Sequence, residues 1–221
     1  MASTTHASLA EDAAAYLGRS SDPLQSFGSD PKEIERQSAC LIEWASKNNA
    51  VLSDSYTSGL ERQEGTTAEH EVFYRSRDNR AVKRTHAGTF GVTCAKKGDQ
   101  GHATPLFYFR RLQLMNREFD SDLRFEGIIL AKSLILFATG KHPCIVISQP
   151  WHRPADPNDP HPSQAQISEF MKSLGFAEVR GSYFGWYKNR GKIRVADARP
   201  DNFIKSEIGV IPIDLVIGEE I

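Results

Sequence analysis

The chain has 221 residues, 39% of them hydrophobic and 25% charged, and its 27 Lys+Arg against 28 Asp+Glu leave a net charge of −1. That is the balance of a globular domain or two small lobes, and it gives no global field to recruit nucleic acid or an anionic membrane. Three scattered cysteines, Cys40, Cys94 and Cys144, make no disulfide framework and fit no zinc spacing, so a reducing compartment is expected. The opening Met1 to His6 has neither a basic n-region nor an apolar h-region, and the longest apolar run, Gly127 to Ala138, is broken by Lys132. It is too short to span a bilayer, and a cytoplasmic protein is expected.

Ala7 to Leu17 fits a short helix. Turn chemistry follows at Ser20-Ser21-Asp22-Pro23 and Gly28-Ser29-Asp30-Pro31. Asp30-Pro31 reads as an N-cap and first-turn proline. The helix behind it, Lys32 to Lys47, places Ile34, Leu41, Ile42 and Ala45 on one stripe and ends at Asn48-Asn49. Glu71 to Tyr74 and Arg80 to Arg84 flank Ser76-Arg77-Asp78-Asn79 as strand, turn, strand. Thr89 to Thr93 is expected as a third short strand.

Pro105 to Phe119 is a helix with Leu106, Phe109, Leu112 and Met115 on its apolar face. Phe125 to Phe137 and Pro143 to Ser148 are strands joined at Thr139-Gly140-Lys141. Trp151 to Pro162 holds four prolines and is a connector. Ser163 to Leu174 is a helix with Ser163 as N-cap and Gly175 just past its end. Tyr183 to Lys188 and Lys192 to Ala196 are short strands around Asn189-Arg190-Gly191, and Ile208 to Ile217 closes the fold.

The chemistry concentrates in Asp197-Ala198-Arg199-Pro200-Asp201-Asn202 and Ile211-Pro212-Ile213-Asp214. Phosphoryl transfer needs a carboxylate to orient the attacking hydroxyl, and an amide oxygen with a second carboxylate to hold Mg²⁺ on nucleotide phosphates. The D-x-x-x-x-N spacing and the later Asp match the protein-kinase arrangement. The same residues also suit an ordinary loop between two strands. Arg199 would contact the transferring phosphate with bidentate geometry. Lys83 ends a strand ahead of the first long helix, where an α/β-phosphate anchor belongs. Gly65 and Val72 flank the place of a phosphate loop, although G-x-G-x-x-G is absent. Ser148 and Gln149 lead into the connector, where backbone groups would hold adenine. The long helix has no central glutamate for Lys83; only Glu118 near its end and Glu126 beyond it qualify. Val195 and Ala196 stand where protein kinases carry His and Arg.

These residues carry a family resemblance. Glu69-His70-x-Val72, Val82-Lys83, Arg124-Phe125-Glu126-Gly127, Ser148-Gln149-Pro150, Phe170-Met171-x-x-Leu174-Gly175-Phe176, Asp197 to Phe203 and Pro212-Ile213-Asp214 together resemble the compact kinase-like domain of bacterial and phage polyvalent proteins. The resemblance covers about residues 60–218. It implies an α+β, two-lobed protein-kinase-like fold: an N-terminal helical extension over 1–55, an N-lobe over 60–148, and a hinge with a minimal C-lobe over 149–221. It implies ATP and Mg²⁺ as cofactors, Asp197 and Arg199 in catalysis, and Asn202 and Asp214 on the metal. Lys83, Gly65, Val72, Ser148 and Gln149 would bind the nucleotide. The phosphate acceptor is a protein or a small molecule; no nucleic-acid signal stands out. Two further readings are a nucleotide-binding pseudokinase or partner-binding regulatory module without turnover, and a structural module that binds no nucleotide.

Overall fold

The computed structural model describes residues 6–20, 30–63, 69–94, 101–132, 140–182 and 184–219. It is a mixed α+β structure with antiparallel sheets. The chain divides into two compact units. The first comprises Met1–Thr93, Gln100–Gln113 and Asp122–Trp151, and the second includes Leu114–Ser121 and His152–Ile221.

The first unit begins with helices α1 (His6–Ser20) and α2 (Pro31–Lys47). Strands β1 (Glu61–Arg62), β2 (His70–Arg75) and β3 (Arg80–Thr85) follow, then helix α3 (Pro105–Phe119) and strands β4 (Arg124–Lys132) and β5 (Lys141–Pro150). They form one sheet in the order β1-β2-β3-β5-β4, with all neighbours antiparallel. The turn between β2 and β3 is a single 3-10 turn, Ser76–Asp78, closed by Asn79 in the left-handed region at φ 52°. Thr139 of the expected β4–β5 turn lies outside the described residues, while the ladder itself runs from Arg124↔Ser148 to Lys132↔Lys141.

Directly opposed residues share a face of a sheet. Val72, Lys83, Ile147 and Phe125 therefore lie on one side. There Phe125 meets Phe109 of α3 edge-on at 4.9 Å and Trp44 of α2 at 6.1 Å. The opposite side holds Phe73, Val82, Ile129, Cys144 and Val146, covered by Leu52, Tyr56 and Leu60. So the sheet is buried on both faces, by helices on one and by the chain after α2 on the other.

Helix α2 starts as the sequence predicts. The Asp30 carboxylate accepts from Lys32 N–H at 3.0 Å and Pro31 occupies the first turn. Its buried face differs from the expected stripe. Glu33, Gln37, Ser38, Leu41, Trp44 and Ala45 are buried, whereas Ile34 and Ile42 are only half-buried. The reason is polar. Gln37 Nε2 donates to Glu33 at 2.7 Å, and Gln37 Oε1 accepts from the Leu106 N–H at 2.9 Å. Leu106 lies in the first turn of α3, whose N–H groups have no intrahelical acceptor. A glutamine on one helix thus completes the start of another. Thr104 Oγ1 accepts the next N–H, from Phe107, at 3.3 Å.

Thr89–Thr93 is not a strand. Val92 makes one isolated bridge to His102. Gly88 and Gly91 sit at φ 74° and 79°, and the Glu69 carboxylate approaches within 2.4 Å of where a Gly91 Cβ would be. Left-handed glycines break an extended run, and the close carboxylate fixes the break.

The second unit carries α4 (Gln164–Ser173), started by a capping box between Ser163 and Gln166 and followed by Gly175 at φ 81°. Strands β6 (Ala177–Glu178), β7 (Trp186–Lys188), β8 (Ile193–Ala196) and β11 (Val216–Glu219) form a sheet ordered β11-β8-β7-β6. Strands β9 (Phe203–Ser206) and β10 (Gly209–Pro212) make a separate hairpin. The strand expected from Tyr183 begins at Trp186; Tyr183 itself lies outside the described residues. Ile167, Met171, Phe176, Trp186, Val195, Phe203 and Ile217 are buried, and Phe119 stacks on Phe176 at 5.6 Å and 8°. Among the described residues no helix is long and apolar enough to cross a membrane.

Two stability outcomes follow. Gly127 stands at φ 147°, and a Cβ there would meet the Ala50 carbonyl at 2.5 Å and Leu52 Cγ at 2.8 Å. Backbone strain and overpacking act together, so Gly127→Ala is expected to lower unfolding free energy by about 2 kcal/mol or more; a urea titration within 0.5 kcal/mol (about the error of the method) of wild type would refute this packing. Gln37→Ala removes the acceptor for Leu106 and is expected to cost about 1–2 kcal/mol, as loss of a helix cap does. Amide exchange reads it locally: Leu106 loses protection while Gln166, capped by Ser163, keeps it.

Candidate functional site

Strand β8 ends at Ala196, opposite Val216 of β11. Asp197 then turns the chain with φ 59°, a left-handed conformation that Asp tolerates better than most residues. Ala198 is fully buried and its N–H donates to the Phe184 carbonyl at 3.1 Å. A single 3-10 turn, Pro200–Asn202, follows. Asn202 is 8% exposed. Its amide nitrogen donates to the Asp197 carbonyl at 2.6 Å and to Asp197 Oδ2 at 2.9 Å.

Strand β9 leaves from Asn202 and β10 returns beside it. The ladder ends with Pro212 opposite Phe203, and Ile213 N–H donates to the Asn202 carbonyl at 2.9 Å. Asp214 is the next residue. Two residues further on, Val216 lies opposite Ala196. The half-buried Asp214 is therefore held between a neighbour bonded to Asn202 and a strand that pairs with the residue before Asp197. Asp214, twelve residues beyond Asn202, thus comes to the same end of the two ladders as Asp197 and Asn202.

Arg199 is on the surface of this set. Its Nε contacts Asp197 Oδ1 at 2.7 Å and its Nη2 reaches Asp197 Oδ2 at 3.3 Å, a forked contact; Asp201 lies 3.6 Å away. Both Asp197 oxygens thus have a donor. The Asn202 amide nitrogen faces Asp197, so its oxygen faces away from that carboxylate.

Among the described residues no group of three or more His, Cys, Asp or Glu side chains is set to hold a metal ion. Mg²⁺ on a nucleotide asks for less: hard oxygen donors, one or two carboxylates, and phosphate oxygens for the rest. The Asn202 amide oxygen and the Asp214 carboxylate are donors of that kind, so the residues present fit the ion.

The predicted nucleotide-contacting positions lie in the first unit. Lys83 is 6% exposed on β3, opposite Val72 and Ile147 and on the helix-covered side of the sheet. Val72 is half-buried on β2, and its carbonyl accepts from Gln63 N–H at 2.9 Å. Gly65 lies outside the described residues. Helix α3 carries an arginine where a glutamate was sought. Arg111 Nη1 bonds both oxygens of Glu69, at 2.7 and 2.9 Å, and His70 Nε2 lies 2.8 Å from Tyr108 Oη. Sequence reasoning missed this reversed pair, because Glu69 and Arg111 are 42 residues apart and belong to no common motif. Glu118 is bonded by Lys188 at 2.9 Å and by Arg117 at 2.8 Å. These bonds outweigh burial, which alone would raise its carboxyl, and hold it below the usual carboxylate range.

Ser148 and Gln149 lie on β5. Ser148 is fully buried, in the middle of the ladder between Val82 and Arg124. Its hydroxyl donates to Glu126 at 2.5 Å, accepts from Arg80 at 2.9 Å, and its carbonyl accepts from Arg80 at 3.0 Å. These bonds tie Ser148 to the buried Arg80 and Glu126 side chains. Gln149 is buried opposite Ala81, one place further along the same ladder.

Glu126, weighed above as a partner for Lys83, centres a buried charge cluster. Arg75 donates to it at 2.9 Å, Tyr56 Oη at 2.9 Å and Ser148 Oγ at 2.5 Å. Burial alone would raise its carboxyl. The bonds from Arg75 and Ser148, the Arg75 charge and the Tyr56 bond outweigh burial and hold it down at about 2. Burial and the Glu126 charge push the Tyr56 phenol up to about 12.

Comparison with known protein families, with curated proteins and with solved structures gives no match for this chain.

The Glu126 cluster sets a pH dependence. A carboxyl lowered on folding stabilises above its unfolded value and loses that contribution as pH falls. The window runs from the ordinary 4.5 down to about 2. Across it wild type is expected to lose about 2–3 kcal/mol more stability than Glu126→Gln. Urea titrations at stepped pH check this, and superimposable profiles would remove Glu126 as the linked group.

Proposed function

We propose that this chain is an ATP- and Mg²⁺-dependent phosphotransferase of kinase-like type. One observation carries the reading: the convergence of Asp197, Asn202 and Asp214 through the Asn202 bonds to Asp197 and the Ile213 bond to Asn202. Asp197 accepts the proton of the acceptor hydroxyl. Asn202 orients Asp197 and, with Asp214, would hold the ion, which when bound would supply charge neutralisation on the phosphates. Arg199 shifts from the carboxylate to the transferring phosphate, which its fork geometry suits. The acceptor is a protein or a small molecule.

A second reading is favoured by the Arg199–Asp197 contact. With both carboxylate oxygens engaged, the residue is held as a structural ion pair, and the chain binds nucleotide without turnover. Binding and consumption of ATP, measured separately on the same preparation, separate the two readings.

Asp214→Asn is expected to weaken Mg·ATP binding about 10- to 100-fold, as loss of a metal contact does, with the fold intact by circular dichroism. Asp197→Asn is expected to leave that affinity in place and reduce turnover about 10²- to 10⁴-fold. Calorimetric titration with Mg·ATP reads the first and phosphate release reads the second. Unchanged affinity in Asp214→Asn would end the metal assignment, and wild type that binds without turnover across an acceptor panel would establish the second reading.

A further inference from the structure

The net charge of −1 conceals a local concentration of positive charge in the second unit. Between Lys172 and Arg194 there are six basic residues, Lys172, Arg180, Lys188, Arg190, Lys192 and Arg194, against one acidic residue, Glu178. Neighbouring acids neutralise only part of it. Glu178 pairs with Lys172 at 3.0 Å, Glu118 with Lys188 at 2.9 Å, and Glu219, across from Ile193, with Arg117 at 3.3 Å. Arg180, Arg190 and Lys192 are exposed and make no ion pair among the described residues.

Two of these cations, Arg190 and Lys192, sit at the β7–β8 turn. The β7–β8 turn has three successive left-handed residues, Asn189, Arg190 and Gly191, at φ 54°, 56° and 90°. Arg190 is an unfavourable residue for that conformation. Strand β7 and the segment just before it offer rings. Only four large hydrophobic side chains are exposed among the described residues, and two of them, Phe184 (38%) and Tyr187 (37%), lie here. Tyr187 is opposite Arg194 on one side and exposed Ala177 on the other, on the face away from buried Trp186 and Val195. The Phe184 carbonyl holds the Ala198 N–H, so the aromatic end of this face borders the Asp197–Asn202 loop.

Cations at a turn, with one exposed ring on the adjoining strand and another two residues ahead of it, are what a single-stranded nucleic acid requires. Phosphates follow the charge and bases stack on the rings without regard to sequence. An acidic peptide would use the cations and leave the rings idle. We propose that the outer face of β6, β7 and β8, with the Asn189–Gly191 turn, is a binding surface for single-stranded nucleic acid. It does not depend on the phosphotransfer reading, because binding needs neither nucleotide nor Mg²⁺.

The test is fluorescence anisotropy of the full chain with a labelled oligothymidine of about 20 nucleotides, a length that spans a site of this kind. Binding is expected to weaken with salt, with a log–log slope of about −2 to −3 for three to four neutralised phosphates. R190E/K192E is expected to lower affinity at least about tenfold for both oligothymidine and inorganic polyphosphate, since it removes the charge both need. F184A/Y187A is expected to lower affinity about tenfold for oligothymidine alone, because polyphosphate has no base to stack. The variants are compared by circular dichroism, and the charge pair at the turn tests the surface even if the aromatic pair perturbs the sheet. Absence of binding at low salt overturns the proposal. So does polyphosphate or polyglutamate binding as tightly as oligothymidine with the aromatic pair making no difference.

Discussion

The second unit depends on the side chain of Asn202. Asp197 sits in a left-handed conformation that costs about 1 kcal/mol or more outside glycine. Two hydrogen bonds from one amide, at 2.6 and 2.9 Å, hold it there, and the second is to a carboxylate and so stronger than a neutral bond. The Asn202 carbonyl anchors Ile213, which sets the start of the return to β11. An alanine at this position would leave the turn unheld and the β10–β11 connection untied. The residue that shapes the candidate site is also the one that holds its local fold, so function and stability are not separable at Asn202. Asp214 differs in that its backbone is placed by its neighbours, Ile213 on Asn202 and Val216 on Ala196.

The first unit is organised by a different constraint, the placement of charge inside a sheet covered on both faces. Arg75, Arg80 and Glu126 are largely removed from water, and each has several partners. Such clusters add little net stability over apolar packing, but losing one partner is costly because the others stay buried. The cluster gathers Tyr56 from the segment after α2, Glu126 from β4, Ser148 from β5 and Asp122 from the chain entering β4. It therefore fixes β5 between β3 and β4, and keeps the start of β4 close to the end of β5. Arg111–Glu69 does the same for α3 and β2.

Local chemistry was legible in the sequence where it acts locally. Asp30-Pro31 and Ser163 through Gln166 start helices because capping involves residues two or three apart. The Ser76–Asn79 turn, α3 and the pair β4–β5 were legible from periodicity and turn residues. The apolar stripe of α2 was not, because Gln37 is buried by the need of a backbone N–H far along the chain, and periodicity weighs apolar residues only. Thr89–Thr93 has strand composition, yet Gly88 and Gly91 are left-handed. Ser148 read as the end of an apolar strand, and nothing near it in sequence announced Arg80 or Glu126. Asp197, Asn202 and Asp214 were legible as a spacing. Their meeting depends on the registers of β9–β10 and β8–β11, which no local pattern encodes.

Charge shows the same limit from the other direction. A balance of 27 basic and 28 acidic residues describes a neutral chain only when averaged over all 221 residues. Screening in physiological salt confines an exposed charge to about 8 Å, so a ligand at one surface feels only the charges near it. The turn at Asn189–Gly191 carries Arg190 and is closed by Lys192, both exposed and without an ion pair among the described residues, while Lys188 is paired with Glu118. The field that matters at this face is therefore set by a turn and its two strands. Net charge excludes a protein that is basic all over; it leaves room for a basic surface beside a balanced remainder.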